Sequence, residues 1–285
     1  MEPERSTSTP TSHTDAKLKI YFLPNLLTAG NLFCGFLALT RIVEANPDVR
    51  ESFNSSIREA IFFILLALIF DLFDGRVARM GGHESPFGRE FDSLADLISF
   101  GAAPAFLVHH IILKDVFSDQ PRLSWIIAAV YLICGAFRLA RFNCLAAMSG
   151  TGGGKEFLGF PIPAAAGLVS SLTLFLLWLG RPVGKWGYAL PAMMVFLSLM
   201  MVSEVRYPTF KSLDFRAKRT FTKMVIIVLM VACLVILWEK ILQIVLPILF
   251  TIYLLYGFIR PRISHKVREE IEEEDDPEDE PGAPS

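Results

Sequence analysis

Apolar runs about as long as a bilayer is thick recur along this chain, and they leave few folds open. In hydrocarbon each backbone N–H and C=O must find its partner within the protein, so such a run is read as a helix. Eight candidates are read, at 22–42, 57–77, 92–113, 124–144, 161–180, 187–205, 222–238 and 240–259. The last two are separated only by Glu239-Lys240, which predicts a tight hairpin or a bent pair. The 285 residues are 53% hydrophobic with a mean hydropathy of +0.46, too apolar for an ordinary soluble domain. The expected fold class is an all-α integral membrane protein with about eight transmembrane helices and polar tails.

The ends differ from the middle. Residues 1–19 are read as a disordered polar leader, without the charged-then-apolar pattern of a cleaved signal. Residues 261–285 form an acidic tail, with ten acids and no base between Glu269 and Glu280. Residues 20–260 form the membrane domain. Of the 27 Lys and Arg residues, 19 fall on the side that holds both termini and the loops after spans two, four and six. Bases favour the cytoplasmic side, so both termini are expected there. Cys34, Cys134, Cys144 and Cys233 lie in or beside apolar runs and read as small core residues.

Where the second and third runs meet, carboxylates interrupt the apolar pattern. The chain reads Asp71-Leu72-Phe73-Asp74-Gly75-Arg76-Val77-Ala78-Arg79, and after eight residues Gly88-Arg89-Glu90-Phe91-Asp92-Ser93-Leu94-Ala95-Asp96. Ionised carboxylates near a bilayer are expensive and are kept for a task. Four together need cations between them. On a helix Asp71 and Asp74 lie about 60° apart, and Asp92 and Asp96 about 40° apart, so each pair shares a face. Gly75 and Gly88 leave bare backbone beside these carboxylates, with room for a bulky ligand. Oxygen ligands alone suit Mg²⁺ or Mn²⁺. The short Gly/Pro-containing turn Met80–Phe87 is expected to bring the two pairs face to face. A divalent metal site of this kind points to phosphate chemistry.

The constellation resembles the signature of the CDP-alcohol phosphatidyltransferase family, D-x2-D-G-x2-A-R-x8-G-x3-D-x3-D, and each fixed position is matched. The resemblance implies displacement of CMP from a CDP-linked lipid by an alcohol. It implies Asp71, Asp74 and Asp92 as principal ligands of Mg²⁺ or Mn²⁺. Asp96 is implied as the base that takes the hydroxyl proton, with a share in coordination. Gly75, Ala78 and Gly88 would give the nucleotide close access, and Arg79 would meet the nucleotide end of the diphosphate.

Further blocks look like the branch of the family that uses serine. They are Leu23-Pro24-Asn25-Leu26-Leu27-Thr28, Phe137-Arg138-Leu139-Ala140-Arg141-Phe142-Asn143, Phe157-Leu158-Gly159-Phe160-Pro161, and Ser203-Glu204-Val205-Arg206-Tyr207-Pro208. The branch implies CDP-diacylglycerol and L-serine as substrates. Arg138, Arg141 and Asn143 are the candidates for binding serine, since its carboxylate needs a cation. The same arginines also fit as snorkelling anchors. Asn31 and Ser99 are open between pocket and helix contact, and Asn25 and Thr28 lie near the nucleotide or cap a helix. His109-His110 reads as an interface pair, far from the aspartates by helix rise.

The expected setting is a bacterial inner (plasma) membrane, with the site facing the cytoplasm. No nucleic acid is expected as a partner, and a homodimer is left open. Two other readings stand beside this one. In the first the acceptor is glycerol phosphate, an inositol phosphate or choline. In the second the protein is a divalent-cation transporter, although carboxylates near one membrane face and the lack of an evident repeat speak against it.

Overall fold

The first helix, α1 (Phe22–Glu44), reveals how the chain sorts its side chains. Its buried residues are Pro24, Thr28, Asn31, Cys34 and Gly35, Ala38 and Ile42, a stripe recurring every three or four positions. All but Ile42 are small or polar. The large apolar residues Phe22, Leu23, Leu26, Phe33 and Phe36 are exposed. A helix in water would do the reverse. Lipid is as apolar as leucine, so membrane helices pack through small residues and polar contacts and turn their bulk outward.

The structure, a computed structural model, describes residues 22–81, 85–148, 156–179, 185–208 and 244–256. After α1 come α2 (Arg50–Gly81) and α3 (Pro86–Val116), then α4 (Pro121–Met148). A short strand β1 (Glu156–Leu158) precedes α5 (Ile162–Trp178). A 3₁₀ turn, Lys185–Tyr188, leads into α6 (Ala189–Val202), followed by β2 (Arg206–Pro208). The last described helix is α7 (Ile244–Tyr256). The protein is thus a helical membrane protein, to which the two short strands add one antiparallel ribbon pairing Phe157 with Tyr207.

By length and composition α1, α3 and α4 can cross a membrane. The helix α2 is longer still, at 32 residues, but Arg58, Glu59, Asp71, Asp74 and Arg76 break up its apolar stretch. The helices α5, α6 and α7 are apolar and shorter. The predicted span 222–238, the Glu239-Lys240 junction and both tails lie outside the described residues. The helix α1 packs most extensively along α2 and then crosses α3; α4 packs on α6, and α2 on α5.

The helix α3 is continuous but not uniform. It widens to π geometry at Leu97–Ala102 and again at His109–Leu113. Pro104 supplies a reason for the first. Proline has no N–H, so the carbonyl four residues back, Phe100, loses its usual donor. The buried hydroxyl of Tyr131 donates to Phe100 O at 3.2 Å in its stead. Such π segments inside α-helices gather at functional sites. This one begins one residue after Asp96.

Candidate active site

Asp71 and Asp74 lie in the last third of α2, which stays helical through Gly81. Asp92 and Asp96 lie near the start of α3, and local sequence sets that start. Ser85 has extended backbone and caps the helix, its Oγ accepting from Gly88 N at 3.0 Å, and Pro86 follows at the first helical position. Asp92 therefore falls in the second turn, with Asp96 one turn later.

The two helices meet as the spacing predicts. Carboxylate oxygens of Asp71, Asp74 and Asp92 all lie within 4.8 Å of one another. Asp74 is buried; Asp71 and Asp92 are half-buried. Three carboxylates held this close, with no His or Cys among them, fit a hard divalent cation. Asp96 stands apart from this trio and is 6% exposed. Gly75 and Ala78 are half-buried on the same helix as the first pair. Gly88 faces Ser85 and Asn25, and a β-carbon there would lie 3.4 Å from Asn25 Oδ1. Arg79 is in α2, but its side chain is outside the described residues.

The helix α1 holds the aspartates from the other side. Thr28 Oγ1 donates to Asp74 Oδ2 at 2.9 Å, and Asn31 Nδ2 donates to Asp96 Oδ1 at 3.1 Å. Ser99 Oγ in turn donates to the backbone carbonyl of Asn31 at 2.9 Å. Both contacts to aspartate come from the polar stripe of α1. They were invisible as pairings, although Thr28 and Asn31 stand out in sequence as polar groups inside an apolar run.

The three residues considered for serine fall in different places. Arg138 on α4 is 7% exposed, and its charge acts on Asp96 and Asp71. A buried cation near a buried carboxylate, here Asp96, is the arrangement such groups require. Arg141, one turn on, faces α6 instead. It donates to Val202 O at 3.0 Å, to Ser203 O at 3.1 Å and to Met201 O at 3.4 Å. Those carbonyls have no donor within their own helix, so Arg141 caps α6. Gly159 completes the junction. Its φ is +78°, and a β-carbon there would overlap Met201 O and lie 2.9 Å from an Arg141 nitrogen. Asn143 Nδ2 donates to Glu90 Oε2 at 3.1 Å and to Ser93 Oγ at 3.0 Å, tying α4 to α3.

His109 and His110 lie at the far end of α3. His110 Nε2 is 3.1 Å from Ala45 O, and His109 meets Trp125 edge-on.

A helical membrane protein with a carboxylate trio, a buried fourth carboxylate and a buried arginine beside it has the parts of a metal-assisted phosphoryl-transfer site. The comparison with known families agrees: residues 21–202 match the family described as CDP-alcohol phosphatidyltransferase, and the chain belongs to it. It is an enzyme of that family. It is 33% identical to a CDP-diacylglycerol–serine O-phosphatidyltransferase of Helicobacter pylori, over 85% of this chain and 91% of that one. It is also 33% identical to a protein of the same name from Bacillus subtilis, over 67% of this chain and 92% of that one. An archaetidylserine synthase of Methanothermobacter thermautotrophicus is 35% identical, over 65% of this chain and 69% of its own length.

Proposed function

We propose that this protein transfers the phosphatidyl group of CDP-diacylglycerol to L-serine, giving phosphatidylserine and CMP. The observation that carries the reading is the convergence of Asp71, Asp74 and Asp92 from two helices within 4.8 Å, with Asp96 buried alongside. The serine acceptor is supported by relatives that are 33% identical over the aligned residues and are named for it.

Asp71, Asp74 and Asp92 hold Mg²⁺ or Mn²⁺, with a share for Asp96. When bound, the metal supplies neutralisation of the diphosphate charge and stabilisation of the departing CMP. Thr28 orients Asp74 through its hydroxyl. Gly75, Ala78 and Gly88 admit the cytidine, and Arg79 meets the diphosphate. Asp96 accepts the proton of the serine hydroxyl as that oxygen bonds to the phosphatidyl phosphorus and the bond from this phosphorus to the CMP oxygen breaks. Arg138 receives the serine carboxylate. Arg141 and Asn143 act through the chain, holding α6 and α3 against α4.

The surroundings follow from the same reading. Residues 20–260 form the transferase domain, with about eight spans, and 1–19 and 261–285 are its polar tails. Both termini and the aspartates face the cytoplasm of a bacterial cell, across its inner membrane, where a nucleotide-activated lipid is consumed. The oligomeric state is left open between monomer and homodimer, and light scattering of the detergent-purified protein measures it. The test of the acceptor is a panel. Purified enzyme is given CDP-diacylglycerol with serine, glycerol phosphate, inositol phosphate or choline, and the lipid product is identified. Phosphatidylserine is expected; a product carrying another headgroup moves the protein to another branch of the family.

A further inference from the structure

Asn31 has one polar end accounted for and one that is not. The residue is fully buried, in the middle of α1. Its Nδ2 donates to Asp96 Oδ1 at 3.1 Å. The amide nitrogen is thus the end that faces the carboxylate. The amide oxygen therefore points elsewhere. It is buried, and among the described residues nothing donates to it. Buried polar atoms in native proteins nearly always have a partner, so an orphan beside a reactive carboxylate calls for an explanation.

The backbone around Asn31 does not let it turn away. Ser99 Oγ donates to Asn31 O at 2.9 Å, and α1 and α3 are in close contact one turn on, at Gly35. The amide is thus held against Asp96 by its nitrogen, while the oxygen of the same amide is buried and without a donor among the described residues. The amide that carries this oxygen bonds Asp96, and the charge of buried Arg138 acts on the same carboxylate. The set matches one ligand chemistry. A β-hydroxy amino acid carries its hydroxyl and its ammonium on adjacent carbons, and its carboxylate beside the ammonium. The hydroxyl goes to Asp96, the carboxylate to Arg138, and the ammonium needs a neutral or anionic oxygen next to Asp96.

We infer that Asn31 is the ammonium-recognising residue of the acceptor site: its Nδ2–H holds Asp96 while its Oδ1 accepts from the amino acid's ammonium. The inference rests on the serine reading proposed above and deepens it. An amide suits the double task, since its nitrogen donates to Asp96 while its oxygen accepts; a carboxylate could only accept. Alcohols without an ammonium leave Oδ1 without a donor in a closed site, which disfavours them.

Two variants of the full chain test this, assayed in detergent with CDP-diacylglycerol, serine and Mg²⁺ or Mn²⁺. Asn31→Ala removes the acceptor oxygen. The KM for serine should rise about 10- to 100-fold, the loss of one hydrogen bond to a charged group. The KM for the lipid should stay within about twofold, which also shows that the protein is folded. Asn31→Asp keeps an acceptor oxygen in place and loses the N–H that faces Asp96. Its serine KM should stay within about threefold while kcat falls at least about tenfold. An unchanged serine KM in Asn31→Ala, with kcat reduced, overturns the inference and leaves Asn31 as a residue that only orients Asp96. Equal rises in both KM values, or the same serine KM in both variants, overturn it as well. If the wild-type enzyme makes no phosphatidylserine, the serine reading fails first and this inference falls with it. If the wild type does make it and the serine KM is unmoved in Asn31→Ala, this inference alone fails.

Discussion

Gly35 of α1 lies directly against Ser99 of α3: a β-carbon at position 35 would overlap the Ser99 hydroxyl and stand 2.9 Å from Ser99 Cα. The obstacle is backbone as well as side chain, so a neighbouring rotamer cannot relieve it. The contact lies one helical turn from Asn31 and three residues from Asp96, and it sets the spacing on which the Asn31–Asp96 hydrogen bond depends.

Gly35→Ala should therefore push α1 from α3 and affect both stability and turnover. Overpacking of this kind costs about 1–3 kcal/mol. Ser99→Ala, which removes only the bond to Asn31 O, should cost about 0.5–1.5 kcal/mol. Thermal unfolding in detergent, read beside kcat, orders the two variants. Equal effects would mean that the close approach at Gly35 is not a constraint.

Asp96→Asn should keep the lipid and lose the chemistry. Asp96 stands outside the carboxylate trio, so CDP-diacylglycerol binding should survive. Loss of a general base lowers kcat about 10²–10⁴-fold. Measured lipid affinity and single-turnover rates separate the two effects. A variant that no longer binds the lipid would place Asp96 among the principal metal ligands instead.

Arg138 and Arg141 should behave differently although they are one turn apart. Arg138→Ala is expected to raise the serine KM about 10- to 100-fold, with little change in the lipid KM, as loss of a charge-assisted contact to the carboxylate requires. Arg141→Ala should leave the serine KM nearly unchanged. It strips donors from Met201, Val202 and Ser203 carbonyls at the end of α6, and stability should fall by about 1–3 kcal/mol. The converse pattern would exchange their roles.

What could be read from the chain, and what could not, divides along physical lines. The aspartates were legible because metal chemistry needs a fixed residue type at a fixed helical spacing, and Asp71, Asp74 and Asp92 do converge. Helix positions were legible from apolar runs: the predicted 22–42 and 124–144 are contained in α1 and α4. Partners were not. Thr28 and Asp74 are 46 residues apart, Asn31 and Asp96 are 65, and hydropathy says nothing about which helix faces meet. In sequence Arg141 pairs with Arg138, because both are basic and one turn apart. Its target, the end of α6, is set by tertiary packing some 60 residues along the chain. The β1–β2 ribbon leaves no mark in the sequence, because three-residue strands carry no periodic signal.

The membrane orientation has its own test. A single cysteine at Gly82, in a background without the four native cysteines, should resist an impermeant thiol reagent in intact cells and react after lysis. The distribution of bases predicts this outcome, with 19 of 27 on the side of the aspartate turn. Labelling in intact cells would place the aspartates on the opposite face.

The central claim is metal-dependent phosphatidyl transfer to serine at the Asp71–Asp74–Asp92–Asp96 site. Its most direct measurement follows labelled serine and CMP together in one reaction of the purified enzyme with CDP-diacylglycerol. Serine should enter lipid and CMP should appear in equal amounts with Mg²⁺ or Mn²⁺. Both should cease with excess chelator, and both should nearly vanish in Asp71→Asn, Asp74→Asn and Asp92→Asn. Equal incorporation and release that persist in chelator, or in these three variants, would contradict the account.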